Sequence, residues 1–291
     1  MDVLGWFIEP FALGFQQRAL MGGVLAGLMS AIVGTWLVLR GMSFFGDAFV
    51  HGVVPGIAIA VVLDINPLIG AAVAALVMVL AIEVINRQTT LGEDTSIGLL
   101  FVGMLGLGVV IISRTDSYSG SLTSILFGDV LGVTSADLVW QAVLALLTIG
   151  TAIVLYRPLL VLSFNSEKAE LLGMRPRRTH AALLVLIAAA VIGSYQAVGT
   201  LLVFGLLIGP PATAALISRT VPRMMATAAI LSLVSVWLGL VISYYAGTAG
   251  SATMAIVPIA LFFIVLAATR IVHRRPIGDA DPQTAEARHA A

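Results

Sequence analysis

The sequence predicts an all-α polytopic membrane protein of about eight to nine transmembrane helices, with broken or re-entrant segments among them. Three observations predict it. Of 291 residues, 59% are hydrophobic and only 10% charged, where soluble domains carry about 25% charged residues. Mean hydropathy is +1.07. The apolar residues also gather into runs of roughly 20, the length needed to cross the hydrocarbon of a bilayer. Lys+Arg and Asp+Glu are 15 each, so the chain offers no field for a polyanion and no nucleic-acid partner is expected. The absence of cysteine excludes disulfide scaffolds and thiolate metal sites. No polar stretch exceeds about 25 residues, too few for a hidden soluble domain.

In chain order, the candidate spans are 17–39, 43–63, 67–86, 95–112, 137–156, 179–196, 199–217, 224–245 and 253–272. The start, with Asp2 and Glu9 and no basic residues, does not read as a signal peptide. Asp64, Asn66 and Pro67 form an outer turn between the second and third spans. The apolar stretch 121–133 is too short to span and reads as a re-entrant or surface segment. In the seventh span, Gly209, Pro210 and Pro211 remove backbone donors and are expected to kink or interrupt the helix, as a packing kink or as a hinge. Residues 1–273 thus form one transmembrane domain, and 274–291 a polar tail.

Orientation follows from the basic residues. With nine spans and an outside N-terminus, only Arg18 and Arg114 face out, and the other thirteen Lys and Arg face in. The C-terminus is then cytoplasmic.

Ionisable side chains inside spans are costly and usually functional. In the second span, Asp47 and His51 stand four residues apart, on one helical face. A carboxylate and an imidazole so placed can share a divalent cation such as zinc or manganese. Two ligands are too few for a tight site, and a two-fold dimer would supply four. The alternative is a pair that hydrogen-bonds as structural glue. Gly46, Gly52, Pro55 and Gly56 break the regular backbone around the pair, as in helices that line cavities. Glu83, four residues before Arg87 and near the inner end of its span, reads as a paired, snorkelling side chain.

The longest inner loop, 156–178, contains NSEKAELLGM, which encodes a short helix capped by Asn165 or Ser166 and ended by Gly173. Its apolar residues Leu171, Leu172 and Met174 lie on lipid or on a cytosolic partner. The chain has no phosphate-binding loop, its single lysine being Lys168 after Glu167, and no H-E-x-x-H or G-x-S-x-G. Uphill transport would need a separate ATPase, with this loop as its socket.

LRGMSFFGDAFVHGVVPGIAIA, with G-D-A, then His, then P-G, resembles the most characteristic stretch of the metal-ion permeases of ABC importers, the zinc, manganese and iron group. EDTSIGLLF at 93–101, ILFGDVLGV at 125–133 and QAVGTLLVFGLLIGPPATAALISR at 196–219 resemble further blocks of that family in the same order. The likeness covers about residues 17 to 270. Gly41 stands where relatives often have a second basic residue, and Asn165 where many have Asp.

The resemblance implies an ABC importer permease fold and a non-enzymatic chain in a bacterial plasma membrane. It implies a homodimer, two cytosolic ATP-binding cassette subunits and an extracytoplasmic metal-binding protein. No permanent cofactor is expected, only the transported ion, with zinc favoured and manganese close behind. Asp47 and His51 would be the metal ligands. The coupling helix would be about 165–174, with Asn165, Ser166, Glu167, Ala169, Leu171, Leu172 and Gly173 meeting the ATPase. Gly46, Pro55, Gly56, Gly209, Pro210 and Pro211 would form the hinge and pathway. The competing readings are a permease for a metal chelate (siderophore or corrinoid) and an ATP-independent secondary carrier.

Overall fold

The computed structural model describes residues 7–89, 93–113, 132–164, 166–171 and 173–273. A 3-10 turn, Glu9–Ala12, leads into α1 (Gly14–Leu39), α2 (Ser43–Gly52), α3 (Val54–Val62), α4 (Pro67–Gln88), α5 (Glu93–Ile112) and α6 (Ser135–Val154). Then follow α7 (Tyr156–Phe164), α8 (Ser166–Leu171), α9 (Pro176–Ile217), α10 (Val221–Ala246) and α11 (Gly250–His273). No strand occurs among the described residues. Among the described residues, eight helical stretches are long and apolar enough to cross a membrane, and Leu202–Ile217 is a shorter apolar helix. Every expected span therefore falls on helix. The stretch 121–131 and the tail from 274 lie outside the described residues.

Local chemistry sets the element ends. Asp64 takes a left-handed φ of 55°, and Asn66 caps α4 by accepting a 2.8 Å bond from the Leu68 N–H, with Pro67 in the first turn. The turn expected there is present. α6 opens on a capping box in which the Thr134 hydroxyl accepts from the Asp137 N–H and the Asp137 carboxylate accepts from the Thr134 N–H. α1 closes on Gly41, whose φ of 68° lets the Met42 N–H reach back to the Leu37 carbonyl at 2.9 Å. A second basic residue at that position would pay the left-handed penalty that Gly41 avoids.

A straight helix of 42 residues such as α9 would run about 63 Å, twice the hydrocarbon thickness. The chain instead turns at Gly199, whose φ of 74° and ψ of 165° belong to a region open only to glycine. Its second half passes Ala255 and Pro258 of α11 at Gly205 and Gly209 in the same chain direction. Its end clusters with the start of α10 around Ala31, Ala214, Met224 and Ala228, with Val38 and Leu39 against them. Its first half follows α7, whose Tyr156 ring meets Trp36 edge-on at 5.6 Å. Both ends of α9 therefore lie at the Arg40 end of α1, the basic side of the molecule.

This corrects the expected interruption at Gly209, Pro210 and Pro211, where the backbone stays helical. The two prolines cost the Leu206 and Leu207 carbonyls their helical N–H partners, yet a proline pair within one α-helix does not stop it when neighbours cover the freed groups. Gly34 of α1 points its Cα hydrogen at the Leu207 carbonyl, and any Cβ there would overlap that oxygen. Gly209 itself faces Pro258, a packing contact with α11.

α1 and α9 make the most extensive contact in the molecule and form its axis. α10 and α11 pack on one side, α6 behind, and α2 to α5 form a second group reached through α2, α4 and α9. Lipid removes the hydrophobic drive between helices, so close approach of small residues takes its place. Gly23 and Gly27, four apart on α1, abut Val236 and Ser232 of α10, and Gly56 of α3 meets Gly70 of α4 backbone to backbone. Two buried glutamines stitch the side opposite Arg40: the Gln141 amide donates to the Gly22 carbonyl at 3.0 Å, and Gln16 to Leu240 at 3.4 Å.

Candidate functional site

α2 is buried on nearly every face. Gly46 lets it lie against Leu207 of α9 and Leu37 of α1, and Gly52 makes room for the Met78 sulfur of α4. Phe45 and Phe49, within 5.4 Å of each other, fill the core side. The remaining face carries Phe44, Asp47 and His51, three and four residues apart. The helix breaks at Val53 and restarts at Val54 with Pro55 in the first turn, so the expected break lies one residue beyond Gly52. Gly46 and Gly56 stay inside regular helix, where they serve close packing.

On that face the His51 Nε2 and an Asp47 carboxylate oxygen stand 3.4 Å apart, with 21% and 29% of the two side chains exposed. Neither side chain makes a hydrogen bond to any described residue, and the buried Nδ1 of His51 has no partner. The two groups thus contact each other as an i, i+4 pair and no other described polar side chain. Two ligands about 2.1 Å from a tetrahedral ion stand about 3.4 Å apart, and an octahedral ion brings them to about 3.0 Å. The pair therefore has the bite of a chelate. Phe101 of α5 packs against both the imidazole, at 6.0 Å between centroids, and Phe44, at 5.9 Å. Asp47 lies about 6 Å and His51 about 12 Å of helical rise from Ser43, so Asp47 stands nearer the basic end of the α2–α3 span and His51 close to its middle.

Phe101 and Phe44 were not among the expected site residues. Phe44 is legible as the residue one turn before Asp47 on the same face, whereas Phe101 comes from a separate helix and leaves no local signal. No third His, Asp or Glu joins the pair among the described residues.

The short helix expected near 165–174 is present as α8, closed by Gly173 at a φ of 70°, with the Met174 N–H donating to the Ala169 carbonyl at 2.9 Å. Ala169 is buried and anchors α8, whereas Leu171 is 86% exposed. Ser166 and Glu167 lie on α8, and Asn165 and Leu172 fall outside the described residues. α7, directly before it, is helix where a loop is expected; Pro158 occupies its first turn, where proline is tolerated.

A bundle of membrane-length helices, with an ionisable pair inside one span, has the make-up of a membrane permease. The chain belongs to the ABC 3 transport family, whose model matches residues 12–269. It is 38% identical over 251 residues to the manganese transport system membrane protein MntC of Listeria innocua, covering 86% of this chain and 89% of that one. It is 35% identical over 271 residues to the chelated iron transport system membrane protein YfeD of Yersinia pestis, covering 93% and 90%. Among solved structures it resembles PsaBC from Streptococcus pneumoniae in complex with Fab, with a TM-score of 0.81 and 30% identity over 90% of this chain and 95% of that one.

Proposed function

We propose that the chain is the membrane-spanning subunit of an ATP-driven importer of divalent metal ions, with manganese as its cargo and Asp47 and His51 as its ligands. The observation that carries the reading is the pair itself: two ionisable groups within a span, 3.4 Å apart, with the buried Nδ1 of His51 unpartnered. Relatives named for manganese and chelated iron support a first-row metal. A second reading, zinc, is favoured by the tetrahedral bite. The octahedral bite is only about 0.4 Å shorter, within a small rotation of either side chain, and the names of relatives such as MntC favour manganese.

One copy supplies one oxygen and one nitrogen donor, and a second copy doubles the set. The face of α5 beside the pair suits that role: Leu99, Val102 and Val110 are 69%, 66% and 60% exposed, and Gly103 and Gly106 have open space before them. The ion, delivered by an extracytoplasmic binding protein, exchanges hydration for carboxylate and imidazole. ATP hydrolysis on two cytosolic subunits moves α8, and the halves of the site part, lowering affinity towards the cytoplasm. Thirteen of fifteen basic residues on the cytoplasmic side support this orientation.

Proteoliposomes containing the chain, its ATP-binding subunit and its binding protein test this with radioactive manganese and competing zinc and iron. ATP-dependent manganese uptake is expected, with Asp47→Asn and His51→Ala each lowering it on the order of a hundredfold. Uptake at the wild-type rate by either variant overturns the ligands; uptake without ATP overturns the importer; preference for zinc overturns the cargo.

A further inference from the structure

The turn from α9 into α10 forms a cleft that metal passage does not use. Ile217, Ser218, Arg219, Arg223, Thr227 and Ile230 line it, around a volume of about 430 Å³. It lies on the basic side, where α9 ends beside Leu39. Arg219 and Arg223 are exposed, and neither is paired with a carboxylate among the described residues. The Ser218 hydroxyl donates to that of Thr227 at 3.4 Å, a long bond that leaves the Thr227 proton free for another acceptor. α10, 26 residues long, starts at Thr220 without a side-chain cap and has proline in its first turn. Its first N–H groups therefore add positive potential to that of the two guanidinium groups.

The opposite wall is apolar. Ile217 is 51% exposed and Ile230 63%, continued along the helices by Leu216 and Val234. A soluble anion would need only the basic half of such a cleft. An anionic phospholipid fits both halves, with phosphate against the arginines and hydroxyls and an acyl chain along Ile230. Basic pockets between transmembrane helices near the headgroup layer are of this kind. A docking surface for a soluble protein would not need its apolar wall turned to the hydrocarbon.

We propose that this cleft is a binding site for the phosphate headgroup of an anionic glycerophospholipid. The proposal is independent of the metal and of its ligands. Native mass spectrometry of the full chain, released from micelles doped with phosphatidylglycerol or phosphatidylcholine, tests it. Phosphatidylglycerol is expected to be retained at least about tenfold better than phosphatidylcholine. Arg219→Gln with Arg223→Gln should abolish that preference, Arg219→Lys with Arg223→Lys should keep most of it, and Arg177→Gln should leave it unchanged. Gel filtration and thermal unfolding of each variant establish that it is folded. An unchanged preference in the folded double Gln variant overturns the site. Displacement of the lipid by millimolar inorganic phosphate assigns the cleft to a soluble anion and overturns the lipid reading. Loss of lipid retention only when the ATP-binding subunit is added assigns the arginines to that subunit, and overturns it equally.

Discussion

Thr35, Thr213 and Ser235 direct their hydroxyls to the carbonyl four residues back, at 2.7 to 2.8 Å, and so bury a polar atom at no loss of hydrogen bonding. Asp47 and His51 do nothing of the kind, which is why their substitution should leave stability within about 0.5 kcal/mol while removing function. Gly34 is the reverse case. A methyl there overlaps the Leu207 carbonyl, so Gly34→Ala should destabilise the protein by roughly 1–3 kcal/mol, read as a lowered midpoint in thermal unfolding in detergent. An unchanged midpoint would mean that α1 and α9 can separate freely at this crossing.

At the scale of elements, the turn inside α9 decides the course of the second half of the chain. Gly199→Ala should cost about 1–3 kcal/mol, because the backbone conformation there excludes a Cβ. Pro210→Ala should cost less than about 1 kcal/mol, since the helix already continues through that position. Folded yield and unfolding midpoints of the two variants, compared side by side, check the order. In sequence the two sites look alike, or the proline pair looks the stronger, because a Pro-Pro step announces its lost donors whereas a lone glycine in an apolar run announces nothing. The spans were legible for the same reason that the break was not: length and hydropathy are local, and a change of direction depends on what covers the freed carbonyls. α8 was legible from Gly173 and its cap, and its exposed Leu171 bears on the proposed coupling. Leu171→Asp should leave metal binding intact and lower transport per ATP hydrolysed by at least about tenfold, checked by running uptake and phosphate release on the same vesicles; equal coupling ratios would remove α8 from the transmission path.

For the whole molecule, the net charge of zero hides an arrangement by side: Arg40, Arg157, Arg219 and Arg223 lie at one end, while Asp64 and Asp137 lie at the other. Because the chain has no cysteine, single cysteines report each end without background. Thr248→Cys should react with a membrane-impermeant maleimide on intact cells, and Leu171→Cys only after permeabilisation; the opposite pattern would invert the topology. The Asp47–His51 pair was visible in sequence at i and i+4, but its surroundings were not, because Phe101, Leu207 and Met78 reach α2 from three other helices.

Leu207 has a consequence for how such a protein can vary. Its carbonyl seats Gly34 and its side chain seats Gly46, so one residue fixes both the central crossing and the helix that carries Asp47. Changes at positions 34, 46 and 207 are therefore not independent of one another. A substitution tolerated at one of them in a relative can be lethal here unless the others change with it, which makes this small contact a place where the order of mutations matters and where grafting single residues between homologues should fail.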